Sequence, residues 1–394
     1  MDQAPKIENE LKVEQELSPE EKKTLADAWC HLVLGRGTPP ARIDTFSNEQ
    51  MRAWLYDSLI SETLVLRNEW GVSPDMERYR AALEGCTDDT QRGNIQFQFI
   101  DFFVSRLSEK MEKHAQGGNR LMRWESWPRA MRESGSFNCV GATLLSIASM
   151  EEAGITVFDA NPAGHAVAIA QLQDGEYVFV DSNNFQVRTI VPEKREIGGV
   201  PCFVIHHSNI EYEIIPVFER GEIVFSILLN LSGVVRNLEN DTHESPEQKS
   251  RTQQIYKDGA PFFESVNFRD IRRRLYGVRR DPWNSQNAEF QNESMKVGLI
   301  HDFSKFLKEK GVDQGIVNEV RGIFAQYPTE VEAFMLDLDA PSVPGASAAA
   351  MNLLTEMHKA AWSAVGSAEV IKMACRWLSL RYKAKMQSAN PTSS

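Results

Sequence analysis

A change of pattern in the middle of the chain leaves few architectures open. A helix spanning about 139–153 ends at Gly154, and a succession of short β-rich runs follows at 155–158, 165–172, 177–180, 200–206, 214–218 and 223–229. Turn signals separate these runs, notably Asp174-Gly175 and Arg220-Gly221. One helix feeding a series of short strands predicts a mixed α+β centre. That centre stands between two helical regions.

Both flanks read as helical. Ser18-Pro19-Glu20-Glu21 is a capping-box start with proline at the first helical position, and its helix carries through Leu25, Trp29 and Leu32 to Gly35. A second helix fits 49–70 and a third 90–114, the latter placing Phe97, Ile100, Phe103, Val104 and Leu107 on one face before the break at Gly117-Gly118. Such stripes are core faces. Residues 236–262 are polar and read as a connector, and helical signal returns at 297–310, 314–326, 329–338 and 369–385. The small, proline-containing stretch 340–350 reads as a flexible joint and the tail from Gln387 as disordered. The expected divisions are a helical region over 1–118, an α+β core over 119–235, a polar connector with a basic helix over 236–283 and a helical domain over 284–394.

Composition narrows the function. With 394 residues, 42% of them hydrophobic, the chain can bury a core without disulfide or metal staples. The net charge of −12 repels phosphate backbones and anionic lipid, which disfavours nucleic-acid and membrane binding. The run 223–235, interrupted by Ser226, Asn230 and Ser232, is too short to span a bilayer. The acidic N-terminus has no apolar segment of signal-peptide type. Five scattered cysteines without CxxC spacing suggest neither a disulfide framework nor a zinc ribbon, so a reducing, cytoplasmic setting is expected, with no metal and no cofactor.

Three residues in 134–184 can carry chemistry. Cys139 stands where a helix begins, after Ser136 and Asn138, either of which can cap it. Unpaired N–H groups and the positive end of the helix dipole favour thiolate there. His165 opens one strand and Asp181 closes the next. The hairpin register decides whether they meet. A two-residue loop puts them on opposite faces. A three-residue loop over 173–175, with Gly175 left-handed, sets Asp181 opposite Val167 and makes it the diagonal neighbour of His165, roughly 7–8 Å away between backbones. The three-residue loop is the expectation here. A thiolate attacks an acyl carbon, imidazole holds and returns the proton, and a carboxylate fixes the imidazole tautomer. Asn183 or Asn184 could replace Asp181 as orienter if the register slips. The Cys139 N–H is the expected first oxyanion donor, with Trp127 and Asn138, alongside Trp124 and Ser136, as candidates for the second.

Residues 135–184 resemble the catalytic core of the transglutaminase-like cysteine enzymes, in which a cysteine helix, a short strand, a histidine strand and an aspartate strand come in this order. The resemblance rests on Cys139-Val-Gly-Ala-Thr-Leu-Leu, Gly154-Ile155 and Gly164-His165-Ala166-Val167, with 26 residues from Cys139 to His165 and 16 from His165 to Asp181. It implies a papain-like core with the cysteine helix packed on an antiparallel sheet. It also implies a nucleophile at Cys139, a general base at His165, an orienter at Asp181, and a protein or peptide amide as substrate. The expected activity is acyl-enzyme chemistry of peptidase, deamidase or transglutaminase type, with the helical flanks shaping access or recruiting a protein partner. Val167 and Ser182 stand where many members carry an aromatic and a proline. These departures, with the long flanks, support the alternative of an inactive scaffold with the same fold.

Other motifs have plainer explanations. Gly298-Leu-Ile-His301-Asp302 lacks the upstream histidine of a phosphohydrolase site, and His206-His207 point to opposite faces of a strand. Asp337-Leu338-Asp339 reads as an acidic helix end. Arg269, Arg272, Arg273, Arg274, Arg279 and Arg280 form the dense basic cluster, read as a solvated helix face that offsets the acidic N-terminal region.

Overall fold

The computed structural model describes residues 16–115, 125–160, 165–206, 212–218, 223–239, 246–276 and Phe290. In chain order these form α1 (Pro19–Ala28), which runs into a π-helical turn (Trp29–Leu34), then a 3-10 turn (Ile43–Thr45), α2 (Asn48–Glu69), α3 (Met76–Glu84), α4 (Asp89–Ala115), α5 (Pro128–Ser134) and α6 (Cys139–Glu152). Seven strands follow: β1 (Thr156–Ala160), β2 (Val167–Gln171), β3 (Tyr177–Asp181), β4 (Gln186–Ile190), β5 (Pro192–Ile197), β6 (Val200–His206) and β7 (Tyr212–Phe218). The helices α7 (Ile223–Glu239), α8 (Pro246–Ser265) and α9 (Phe268–Tyr276) come after them. The protein is therefore α+β, with antiparallel strands in the order β4-β3-β2-β1-β7-β6-β5 and helices on either side in sequence.

Local chemistry explains the starts and stops. Ser18 and Ser47 each head a capping box, the former with Glu21 and the latter with Gln50. Gly35 and Gly154 take left-handed conformations where the first helical segment and α6 end, at φ +75° and +71°.

The chain divides into two units, one comprising Met1–Val191 with Val217–Asp281 and the other Pro192–Pro216 with Pro282–Ser394. In the first, α6 lies at the centre. Its residues from Gly141 to Met150 are all buried, and its nearest neighbours are α2, β1 and β2. Tyr79 donates to the carbonyl of Ala153 (3.1 Å) and Tyr56 to the Glu151 carboxylate (2.5 Å), so α3 and α2 hold the helix by its C-terminal end. In the second unit β5, β6 and β7 pair as far as Pro216, over a small cluster of Val200, Cys202, Val204, Ile214 and Phe290. The unit boundaries fall at 191, 216 and 281.

Several elements differ from the sequence reading. The run 223–229, expected as a strand, is the start of α7. Its β-branched residues suggested a strand, but Ile223, Val224, Ile227, Leu228, Leu231 and Val234 are buried at helical spacing while Leu229 is exposed. The stretch expected as a polar connector carries the end of α7 and the whole of α8, whose polar composition reflects its exposed face. The strands β4 and β5 were not expected, because QVRTI and PEKREI are largely exposed and lack an apolar alternation. Helices α3 and α5 are likewise additional.

The described arginines of the basic cluster lie on α9 and are partly structural. Arg272 is buried with its guanidinium 4.4 Å over the Phe225 ring. Arg274 makes a two-pronged bond to Glu21 (2.6 and 3.0 Å), which holds that carboxyl at about 2, and it also reaches the Glu16 carbonyl. Arg279, Arg280, the His301 motif, Asp337–Asp339, the 340–350 joint and the C-terminal helices lie outside the described residues.

Candidate active site

The site is assembled by one helix and one hairpin. Asn138 caps α6, its Oδ1 accepting from the Gly141 N–H at 3.0 Å, so Cys139 is the first helical residue. That cap uses the third N–H of the helix and leaves that of Cys139 at its open end. Gly141 is required there by close approach. A Cβ at this position would stand 2.5 Å from the Glu125 carbonyl and 2.7 Å from the Met131 sulfur.

The hairpin turns through a three-residue loop. Leu172 donates to the Glu176 carbonyl (2.8 Å), Gly175 to the Leu172 carbonyl (3.0 Å), and Gly175 has φ +88°. Helix α4 steadies the loop, with Gln96 accepting from the Gln173 N–H at 2.8 Å. Ala168 therefore pairs with Val180 and Ile169 with Phe179, the register that puts Asp181 across from Val167. His165 and Asp181 meet on one face, with Nε2 2.9 Å from Oδ2. Asp181 is buried and the His165 side chain is 29% exposed, so the ring stands at the boundary between core and solvent.

The Cys139 sulfur acts on the same ring, and each group shifts the titration of the other. With Nε2 taken by Asp181, Nδ1 is the nitrogen left for it. The Asp181 bond first and the Cys139 bond second overcome burial and raise the imidazole to about 10. Burial alone would push the Cys139 thiol up. The His165 bond and charge, with backbone N–H groups of Ala166 and Val140, outweigh burial and lower it below the ordinary thiol value. At Asp181 burial again acts upward, and bonds from His165 and Asn184 hold the carboxyl down. All three shifts favour the same charge state: thiolate, imidazolium, carboxylate. Two buried cysteines differ. Burial pushes Cys30 up and Cys202 up to about 12.

The oxyanion candidates have other engagements. Asn138 uses its oxygen in the cap, and its Nδ2 donates to Ser126 Oγ at 2.7 Å. Trp127 is buried at the start of α5 and lines a small cavity with Leu32, Arg129 and Ile255 that includes none of the three site residues. Trp124 lies outside the described residues. Sequence reasoning did not single out the Ala166 N–H, because a backbone donor carries no residue signature. Nor did it find the link between Ser182 and Ser146, two buried hydroxyls that join the turn after Asp181 to the middle of α6. Asn184 does not replace Asp181 but bonds to it. No group of metal-binding side chains occurs among the described residues, and none of the described helices is long and apolar enough to cross a membrane.

Comparison with protein-family models, with curated proteins and with solved structures finds no match to this chain in any of the three.

Proposed function

We propose that this protein is a thiol-dependent acyl-transfer enzyme of the transglutaminase-like kind, with a papain-like core and Cys139 as nucleophile. The observation that carries the reading is a single imidazole held on one side by a buried carboxylate and on the other by a thiol at a helix N-terminus. The Cys139 thiolate attacks the carbonyl carbon of an amide and forms a C–S bond. The charge that develops on oxygen faces the Cys139 N–H at the open end of α6. The His165 imidazolium gives its proton to the leaving nitrogen as the C–N bond breaks. Water or an amine then attacks the thioester, His165 takes the proton, and the sulfur leaves as thiolate. A peptide bond or a glutamine side chain supplies such an amide, and a reducing, cytoplasmic setting keeps the thiol available.

Alkylation with iodoacetamide followed by mass mapping tests the proposal. Cys139 should react first, with a rate that persists well below pH 8.5, while Cys30 and Cys202 stay slow. Cys139→Ala should remove the fast label and leave the chain folded. Ordinary thiol titration near 8.5, or fast labelling that survives the substitution, would leave only a scaffold with this fold.

A further inference from the structure

The turn after β3 contains a group that the acyl-transfer chemistry does not itself call for. Asp181 Oδ2 accepts from His165 Nε2 at 2.9 Å and from the side-chain Nδ2 of Asn184 at 2.8 Å, and Oδ1 accepts from the Asn184 backbone N–H at 3.1 Å. One residue thus bonds both carboxylate oxygens. A carboxylate on a short side chain otherwise turns easily about its terminal torsion, whose minima are broad. Held at both oxygens it cannot.

We infer that Asn184 is a positioning residue, whose amide and backbone N–H clamp the Asp181 carboxylate so that Oδ2 stays aimed at the His165 ring. The inference rests on the reading of Cys139, His165 and Asp181 as one working unit. The turn is itself fixed at both ends. Ser182 is tied to Ser146 of α6, and Phe185 packs against the core with φ +55°, a left-handed conformation that bulky residues rarely adopt. Asn184 is exposed, so it contributes little to packing. Both of its bonds also act to hold the Asp181 carboxyl low. Without the amide, Oδ2 is free to swing off Nε2. The imidazolium loses support, and the proton returns to the sulfur at a higher pH.

The test is the pH profile of Cys139 alkylation by iodoacetamide in Asn184→Ala and in Asn184→Leu, the second keeping similar volume without a donor. The expected result is an acid limb raised by about one pH unit, hence about tenfold slower reaction below the limb, with the alkaline plateau within about twofold of wild type. Melting should be unchanged. A limb that superimposes on wild type in both variants overturns the inference, and so does an equal loss of rate at every pH. A measurement on the unaltered protein stands beside these. The Asn184 side-chain amide resonances should shift at the pH where Asp181 takes up its proton, and amide signals indifferent to that titration also overturn it. Failure here is distinct from failure of the enzyme reading. A wild-type thiol that titrates near 8.5 removes the enzyme. A low wild-type limb that the Asn184 variants do not move removes the clamp alone.

Discussion

At His165 two anionic partners pull in one direction, and their effects can be separated. The Asp181 bond is the larger influence and the Cys139 bond the next. Nitrogen-15 NMR titration of the histidines should therefore show His165 as imidazolium until the pH approaches about 10 in the unaltered protein. Cys139→Ala should lower that value and Asp181→Asn should lower it further, since an amide supplies no charge. The reverse order would mean that the sulfur, not the carboxylate, governs the ring. Cys139 and Asp181 were legible in the sequence because each sits at the end of an element, where hairpin and capping rules say which way a side chain goes. His165, expected to open the strand, instead stands two residues before β2 begins at Val167. Asn184 was legible only as one of two adjacent asparagines. Its role depends on the path of a four-residue turn, and that path follows from a hydroxyl contact to a helix 36 positions away.

The start of α6 is where local structure and tertiary contact press hardest on each other. The segment through Glu125 passes so near the first turn that a methyl group at 141 meets its carbonyl. Gly141→Ala should cost about 1–3 kcal/mol in urea unfolding and slow Cys139 alkylation, because the strain falls within two residues of the sulfur. A substitution without effect on either would show that the approach relaxes freely. Leu145→Ala, in the fully buried middle of the same helix, should cost about 2–5 kcal/mol and leave the pH limb of Cys139 in place. Helices with capping boxes or a clear apolar stripe were read correctly at this scale, as were the strands that carry apolar runs, β2, β3 and β6 among them. The run 223–229 was not, since a short β-branched segment fits either period until its partners are known. The exposed strands β4 and β5 escaped for the opposite reason, having almost no apolar residue to mark a face.

For the whole molecule the site makes stability depend on pH in a way that one variant exposes. The His165 value is raised, so its contribution is complete below about 6.5 and is lost as pH rises toward about 10. The Cys139 value is lowered, so its contribution is present above the unfolded thiol value and is lost as pH falls. Between pH 6.5 and 9 the two oppose each other: the folded pair keeps its proton on the ring, and the unfolded chain keeps its proton on the sulfur. Urea unfolding should then show wild type losing less stability across this window than Cys139→Ala, in which only the His165 loss remains. Equal slopes would dissolve the ion pair. Asp181 acts at the acid end, where stability falls once the pH drops through its lowered value. What the amino-acid order determined alone was the set of local features: caps, helix ends, the three-residue hairpin loop and the three candidate side chains at or near their borders. Those depend on neighbours a few positions away, and short-range rules reach that far. The tertiary structure alone decided the division into two units, the helix that replaced the expected connector, the arginines turned to holding α9, and the clamp on Asp181. Each of these turns on which distant segment supplies the buried partner, and periodicity along one stretch of chain carries no record of that partner.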